Sequence, residues 1–303
     1  MTLQLRPLEE QVMVITGASS GIGLATAQAA AKRGAKLVLA ARSDRALGEI
    51  VRRLEAGGAE AIAVECDVSD REQVEGVARA ALARFGRIDT WVNNAGVSVY
   101  GRLDEVSEAD SRRVFETNFW GVYHGSLVAL PHLKSRGGAL INVGSEVSET
   151  VIPLQGIYSA SKHAVKGFTD ALRVEIQDVD RAPVAITLIQ PTAVDTPYPQ
   201  HAANYMEQEP KLPSPNIDPE KVATVILEAA EKPTRAVKVG LVAKVNTALA
   251  KVAPRLGEKL AAHEYDRQQE DRPPIDRAGA LYRPSEQTVS VGQTHGRARL
   301  DKD

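Results

Sequence analysis

The chain carries one cysteine, Cys66, in 303 residues. That excludes an internal disulfide framework and any zinc or iron–sulfur site built from cysteines. A reducing compartment is the default for such a chain. Charge of one sign is also missing: 37 lysines and arginines face 39 aspartates and glutamates, a net charge of −2. A near-neutral chain exerts no global pull on nucleic acid or an anionic bilayer. No apolar run reaches about 18 residues, the length a spanning helix needs. The opening MTLQLRPLEE lacks an apolar signal core. The six histidines show no ligand spacing, and there is no internal repeat. The expectation is a cytoplasmic protein that acts on small molecules and holds no metal.

What is present is ordinary globular material, 43% hydrophobic and 25% charged, enough for a large core. Short apolar runs at 12–16, 36–41, 61–66, 88–92, 139–143 and 184–189 alternate with helical patterns at 21–33, 45–56, 71–85, 108–136 and 158–177. Strands alternating with helices read as βαβ units. Runs apolar throughout suit a parallel sheet buried on both faces. Right-handed crossovers then give an α/β fold, a Rossmann-like doubly wound parallel sheet flanked by helices.

Beyond residue 190 the texture changes. Seven of the 16 prolines fall between Pro191 and Pro219, which forbids a regular central element and predicts a lid or binding loop. A helix resumes at 219–231, with Asp218 able to cap it and Pro219 at its first position, and a short strand follows at 236–239. Residues 1–245 are expected to form the dinucleotide-binding and catalytic domain, and 246–303 a helical extension and polar tail. The last 40 residues hold 15 charged residues and five from Val, Ile, Leu and Phe, so they can bury little unless they dock.

The first strand runs into Gly17-Ala18-Ser19-Ser20-Gly21-Ile22-Gly23 and then a helix. Three glycines let the backbone turn tightly and approach a ligand. The helix N-terminus then offers N–H groups and a positive dipole end to a diphosphate. The spacing is Gly-x-x-x-Gly-x-Gly. Further motifs follow in order: Asn94-Ala95-Gly96 after the fourth strand, Asn118 in the long helical pattern at 108–136, Ser145 after the fifth strand, and Tyr158-x-x-x-Lys162. On these the sequence resembles the short-chain dehydrogenase/reductase family over residues 10–240.

Tyr158 and Lys162, four apart, share one helix face. A phenol titrates near ~10, and a neighbouring ammonium is expected to lower that and make a general acid/base. The resemblance implies that Tyr158 hands a proton to a substrate carbonyl as hydride arrives, and that Lys162 also holds ribose hydroxyls. It implies that Ser145 holds the reacting oxygen, with Ser148 as its near competitor, and that Asn118 kinks its helix and offers its backbone carbonyl to a water in a proton relay to Lys162. It further implies cofactor contacts from Asp67 and Val68 on the adenine, and from Pro191, Val194 and Thr196 beside the nicotinamide. Where the family reads Pro-Gly, this chain reads Pro191-Thr192. The second strand ends without an acid, in Ala41-Arg42-Ser43. Arginine there suits a 2′-phosphate, with Ser43 and Ser19 as further donors, so NADP(H) is the expected cofactor.

The leading expectation is an NADP(H)-dependent reductase of a small carbonyl or alcohol. An epimerase or dehydratase, and a redox sensor or scaffold that binds NADPH without turnover, are the alternatives. Residues 97–100, Val147, 151–155, Tyr198, Tyr205 and Met206 are candidates for an apolar substrate pocket. Two-sided apolar helices at 108–136 and 158–177 predict a homodimer or homotetramer, since family members often pair these helices. Lastly, Leu241, Val245, Leu249, Val252, Leu256 and Leu260 form a stripe at helical spacing edged by Lys244, Lys251, Arg255 and Lys259. Two uses compete: packing on the core or a second subunit, or resting on an anionic membrane. Pro254, which splits the stripe, favours packing.

Overall fold

The computed structural model describes residues 3–284, together with the backbone of the strand pair Gln293–Thr294 and Arg297–Ala298. Seven strands form one parallel sheet: β1 (Val12–Thr16), β2 (Lys36–Ala41), β3 (Ala61–Glu65), β4 (Thr90–Asn93), β6 (Gly138–Val143), β7 (Val184–Pro191) and β9 (Ala236–Val239). Their order is β3-β2-β1-β4-β6-β7-β9, so the direction of winding reverses between β1 and β4. The central strands are buried residue after residue, because helices cover both faces.

On one face α1 (Gly21–Lys32), α2 (Asp44–Ala56) and α8 (Pro219–Glu231) enclose a core that includes Ile15, Leu39, Leu47, Ile141 and Ile226. On the other, α3 (Arg71–Phe85), α5 (Gly121–Arg136) and α6 (Gly156–Arg173) pack Val74, Leu133 and Leu172 against Trp91 and Leu140. Local signals fix the helix ends. The Asp70 carboxylate accepts from the Glu72 and Gln73 amides at the start of α3, and Gly86 (φ 73°) ends that helix. Asp218 occupies the cap position of α8, with Pro219 behind it, but its side chain makes no capping bond there.

The expected helix over 108–136 is interrupted. Helix α4 (Glu108–Phe115) passes into a wide π-helical turn at Glu116–Trp120 before α5 begins. The proline-rich stretch after β7 holds a one-turn helix, α7 (Tyr198–His201), and a two-residue strand, β8 (Ala203–Asn204). That strand pairs in parallel with another short one, β5 (Val99–Tyr100). Among the described residues no helix is long and apolar enough to cross a membrane.

In the C-terminal part, one of the uses expected of the stripe, packing on the core, is not seen. Helices α9 (Leu241–Val252) and α10 (Pro254–Ala262) do not turn the apolar stripe onto the core. Ala243 and Thr247 are the buried residues of α9, while Leu241, Val245, Val252, Leu256 and Leu260 are exposed. The reason lies on the inner face, where Asn246, Thr247 and Lys251 bond Glu146, Lys238 and Glu149, so polar pairing holds α9 and the aliphatic side is left outward. Conversely, the polar stretch after α10 docks. From α11 (Glu264–Arg267) to residue 284 it crosses the molecule as a strap, burying Gln268, Ala280 and Leu281.

Candidate active site

The pocket runs along the carboxyl ends of β1, β2, β4, β6 and β7, where such sheets bind ligands. Its floor is the glycine turn. Gly17 has φ 65°, and a Cβ there would sit 2.7 Å from the Ala95 Cα; one at Gly23 would sit 2.2 Å from the Gly17 carbonyl oxygen. Only glycine allows so close an approach. The Thr16 hydroxyl accepts from the Asn94 and Ala95 amides at 3.1 and 3.2 Å. The Asn94 side chain donates to the Thr16 and Gly17 carbonyls at 3.0 and 3.1 Å. The turn is therefore held open at the start of α1, a shape that fits a dinucleotide phosphate. Ser19, Ser20, Gly21, Ile22, Asp67, Val68, Asn94, Ala95, Gly96, Pro191, Val194 and Thr196 all line the pocket, whereas Gly23 lies beneath it.

At the other end Ser145, Tyr158 and Lys162 converge. Ser145 leaves β6 in extended conformation, its hydroxyl accepting from the Val147 amide at 3.3 Å, and Ser148 receives the Ser145 amide at 3.2 Å. Ser148 is thus a buried cap of this turn and not a pocket residue. Lys162 is buried on α6, its Nζ donating to the Val143 carbonyl at 2.9 Å and standing 5.7 Å from the Tyr158 ring centre. Burial brings the Lys162 amine down to about 8. The Tyr158 phenol is pushed up to about 12 by burial, against the opposing pull of Tyr198 and Ser145. This corrects the expected downward shift: desolvation of the phenolate outweighs the neighbouring amine, whose own charge burial disfavours.

Asn118 sits in the π-helical turn and does not face the pocket. Its side chain accepts from the Val97 amide at 2.8 Å and donates to the Val97 carbonyl and the Ser161 hydroxyl, each at 3.0 Å. The Ser161 hydroxyl in turn donates to the Tyr158 carbonyl at 2.7 Å. The turn is thereby tied both to the Asn94-Ala95-Gly96 segment and to the helix carrying Tyr158.

Tyr198 and Gln155 were expected at the pocket, but the contacts that join them to Tyr158 and to the strap had no signal in the sequence. Tyr198 stands edge-on to Tyr158 with ring centres 5.5 Å apart and donates to Gln155 at 2.8 Å. Gln155 donates to the strap residue Gln268 at 2.6 Å. Glu146, next to Ser145, lines the pocket; its carboxyl is raised by burial and accepts from the Thr192 hydroxyl at 3.0 Å. Thr192 also fills the space over Gly240, where a Cβ would lie 2.7 Å from the threonine methyl. Of the substrate-pocket candidates, Val97, Ser98, Val147, Ile152, Gln155 and Tyr198 line the cavity. Tyr100 and Met206 are core, Tyr205 bonds Asp110, and Val151 faces outward.

At the end of β2 Arg42 lines the pocket, and its guanidinium donates to the strap carbonyls of Ala280 and Leu281 at 2.5 and 3.1 Å. Ser43 is occupied as the cap of α2, accepting from the Ala46 amide at 3.3 Å. Burial raises Asp67, but bonds from Ser69 and Arg113 prevail and hold the carboxylate below its ordinary range. Arg113, absent from the sequence reading, donates to Asp67 at 2.5 Å, to Ser69 at 2.7 Å and to the Leu281 carbonyl at 3.1 Å. Cys66 is buried with its thiol pushed up to about 12, a core residue.

Comparison with known proteins gives the same picture. Residues 11–206 match the sequence model of the short chain dehydrogenases. Uncharacterized oxidoreductase YxnA of Bacillus subtilis is 45% identical over 285 residues, covering 92% of this chain and 80% of its own. A short chain dehydrogenase/reductase from Burkholderia phymatum, solved with NAD, superposes with TM-score 0.75 at 30% identity, over 88% of this chain and 99% of its own. An alcohol dehydrogenase from Thermococcus sibiricus, solved with 5-hydroxy-NADP, gives 0.67 at 31% identity, over 76% and 95%. With the sheet order, the glycine turn and the Ser145–Tyr158–Lys162 cluster in place, the chain belongs to the short-chain dehydrogenase/reductase family of oxidoreductases.

Proposed function

We propose that the protein interconverts a small carbonyl compound and its alcohol with NADP(H). The observation that carries this reading is the convergence of Ser145, Tyr158 and Lys162 at one end of the cavity whose floor is the glycine turn. A nicotinamide dinucleotide lying along that cavity would supply or accept the hydride. Tyr158 stays protonated at neutral pH with its phenol at about 12, so in the reductive direction it gives the proton to the substrate oxygen. The Ser145 hydroxyl holds that oxygen beside the phenol. Lys162 holds the ribose, and its ammonium favours the phenolate left behind. Asn118 supports Tyr158 through Ser161. The preference for NADP(H) rests on Arg42, a pocket residue whose fork of donors, now on the Ala280 and Leu281 carbonyls, suits a 2′-phosphate. An apolar alcohol or ketone suits the walls, with Val97, Val147 and Ile152 beside Tyr198.

The test is nucleotide oxidation against a panel of ketones, quinones and hydroxysteroids, with Tyr158→Phe as the control. That variant keeps the ring and removes the proton, so kcat should fall by about 10²–10⁴ with nucleotide affinity little changed. Near-full turnover by Tyr158→Phe on a verified substrate refutes the assignment.

A further inference from the structure

The α9–α10 pair has its polarity inverted relative to an ordinary surface helix. At 100° per residue, Leu241, Val245, Ala248 and Val252 fall within an arc of about 60°, opposite the buried Ala243 and Thr247. Leu241 is 76% exposed and Val252 86%. Helix α10 continues the feature with Leu256 and Leu260, one turn apart and both exposed, and it buries none of its residues deeply. The two helices touch each other, a Cβ at Gly257 lying 3.7 Å from Ala250. They form one aliphatic ledge, hooked to the body by the bonds from Asn246 to Glu146 at 3.4 Å and from Lys251 to Glu149 at 2.7 Å.

The charges beside this ledge have one sign. Lys244, Arg255 and Lys259 are exposed on the same two helices, and at helical spacing Lys244 borders the α9 stripe. The one acid between Leu241 and His263 is Glu258. A second copy docked about a two-fold axis would set these cations against their own equivalents, with the single acid Glu258 to meet them. Residues 285–303 offer Val289, Val291 and Leu300 as their aliphatic side chains, too few to cover the ledge. Aliphatic side chains edged with cations fit an anionic lipid surface, where the chains enter the headgroup boundary and the cations meet phosphate.

The geometry points to α9–α10 as a docking surface for an anionic bilayer, with the helices lying in the interface plane. The inner face of α9 is bonded to Glu146, a pocket-lining residue, so docking would hold the active-site loop close to the lipid. The inference stands on the helix pair alone, independent of which substrate or nucleotide the site takes.

Flotation of the full chain with phosphatidylcholine vesicles, with and without phosphatidylglycerol, tests it. Binding is expected on the anionic vesicles, weakening as salt rises. Reversal of Lys244, Arg255 and Lys259 to glutamate should weaken it about a hundredfold. Leu256→Ser with Leu260→Ser should abolish it. All these residues are exposed, so the thermal midpoints of the variants should match that of the parent. Absence of flotation overturns the inference. So does a sedimentation mass above the monomer that Leu256→Ser with Leu260→Ser returns to monomer, which would assign the ledge to a second copy.

Discussion

Gln268 is the point where the strap is pinned to the catalytic centre. It is fully buried; its side chain accepts from Gln155 at 2.6 Å and donates to the Pro153 carbonyl at 2.9 Å and the Glu264 carbonyl at 3.2 Å. Gln268→Met keeps the volume and removes the amide, so no cavity term confuses the result. It strands the amide nitrogen of Gln155, itself 6% exposed. A stranded buried polar group costs about 1–3 kcal/mol, and the middle of that range is roughly a 30-fold rise in the population with the strap undocked. Hydrogen exchange reads it directly. The Ala280 amide, held by the His201 carbonyl at 2.8 Å, lies 12 residues along the strap, and its exchange should quicken about 30-fold, the ratio by which local opening becomes more frequent. Amides of β1 and β6 should be unchanged. Exchange at Ala280 altered less than about threefold, well under the 1 kcal/mol floor for a stranded group, would refute the pinning role.

Other expectations follow from the same geometry. Arg42→Ala should lower NADPH affinity about 10–100-fold, the worth of one charge-assisted contact, and leave NADH affinity nearly unchanged; equal losses for both in a titration would remove Arg42 from cofactor choice. Lys162, lowered from 10.5 to about 8, is neutral in the folded chain where the unfolded chain still holds the proton. Stability should therefore rise from pH 8 towards 10.5 by a component that Lys162→Met lacks, read as the difference in urea midpoint between the two proteins without added nucleotide; a constant difference across that window contradicts the shift. The half-buried aromatic cluster of Phe119, Trp120, Tyr123 and Phe168, with Trp120 at 40% exposure, is expected to lie in a self-association interface. Trp120→Glu should then halve the sedimentation mass, and a concentration-independent monomer in the parent protein would count against it.

The central strands were legible because 12–16, 36–41 and 184–189 are apolar apart from Thr16, Lys36 and Thr187 and are free of proline. The glycine turn, Ser145, Tyr158 and Lys162 were legible because each stands at an element boundary or one helical turn from its partner. A kink at Asn118 was expected from the family resemblance alone; its form, a π-helical turn accompanied by side-chain bonds to the Val97 backbone 21 residues away, has no local sequence signal. The strap was hidden for a different reason. Its docking runs through backbone carbonyls at Ala280 and Leu281 and through one buried amide at Gln268, none of which leaves a hydrophobic pattern. In α9 the period of the stripe revealed a face but not which way it turns, since that was decided by Glu146 and Glu149, about 100 residues away, together with the nearby Lys238. The phenol of Tyr158 was misjudged because spacing shows the ammonium nearby and cannot show how dry both groups are.

The strap also sets an order of assembly. Arg42 meets its carbonyl partners 238 and 239 residues later in the chain, and Gln155 meets Gln268 only after 113 more residues have been made. During synthesis the strands up to β7 and the glycine turn are complete long before the segment that closes over them. A chain interrupted between β9 and α11 contains every strand of the sheet and Ser145, Tyr158 and Lys162, yet lacks the pocket wall supplied by Ala280. Removal of the chain from α11 onward would leave the guanidinium of Arg42 without the two carbonyls that now hold it.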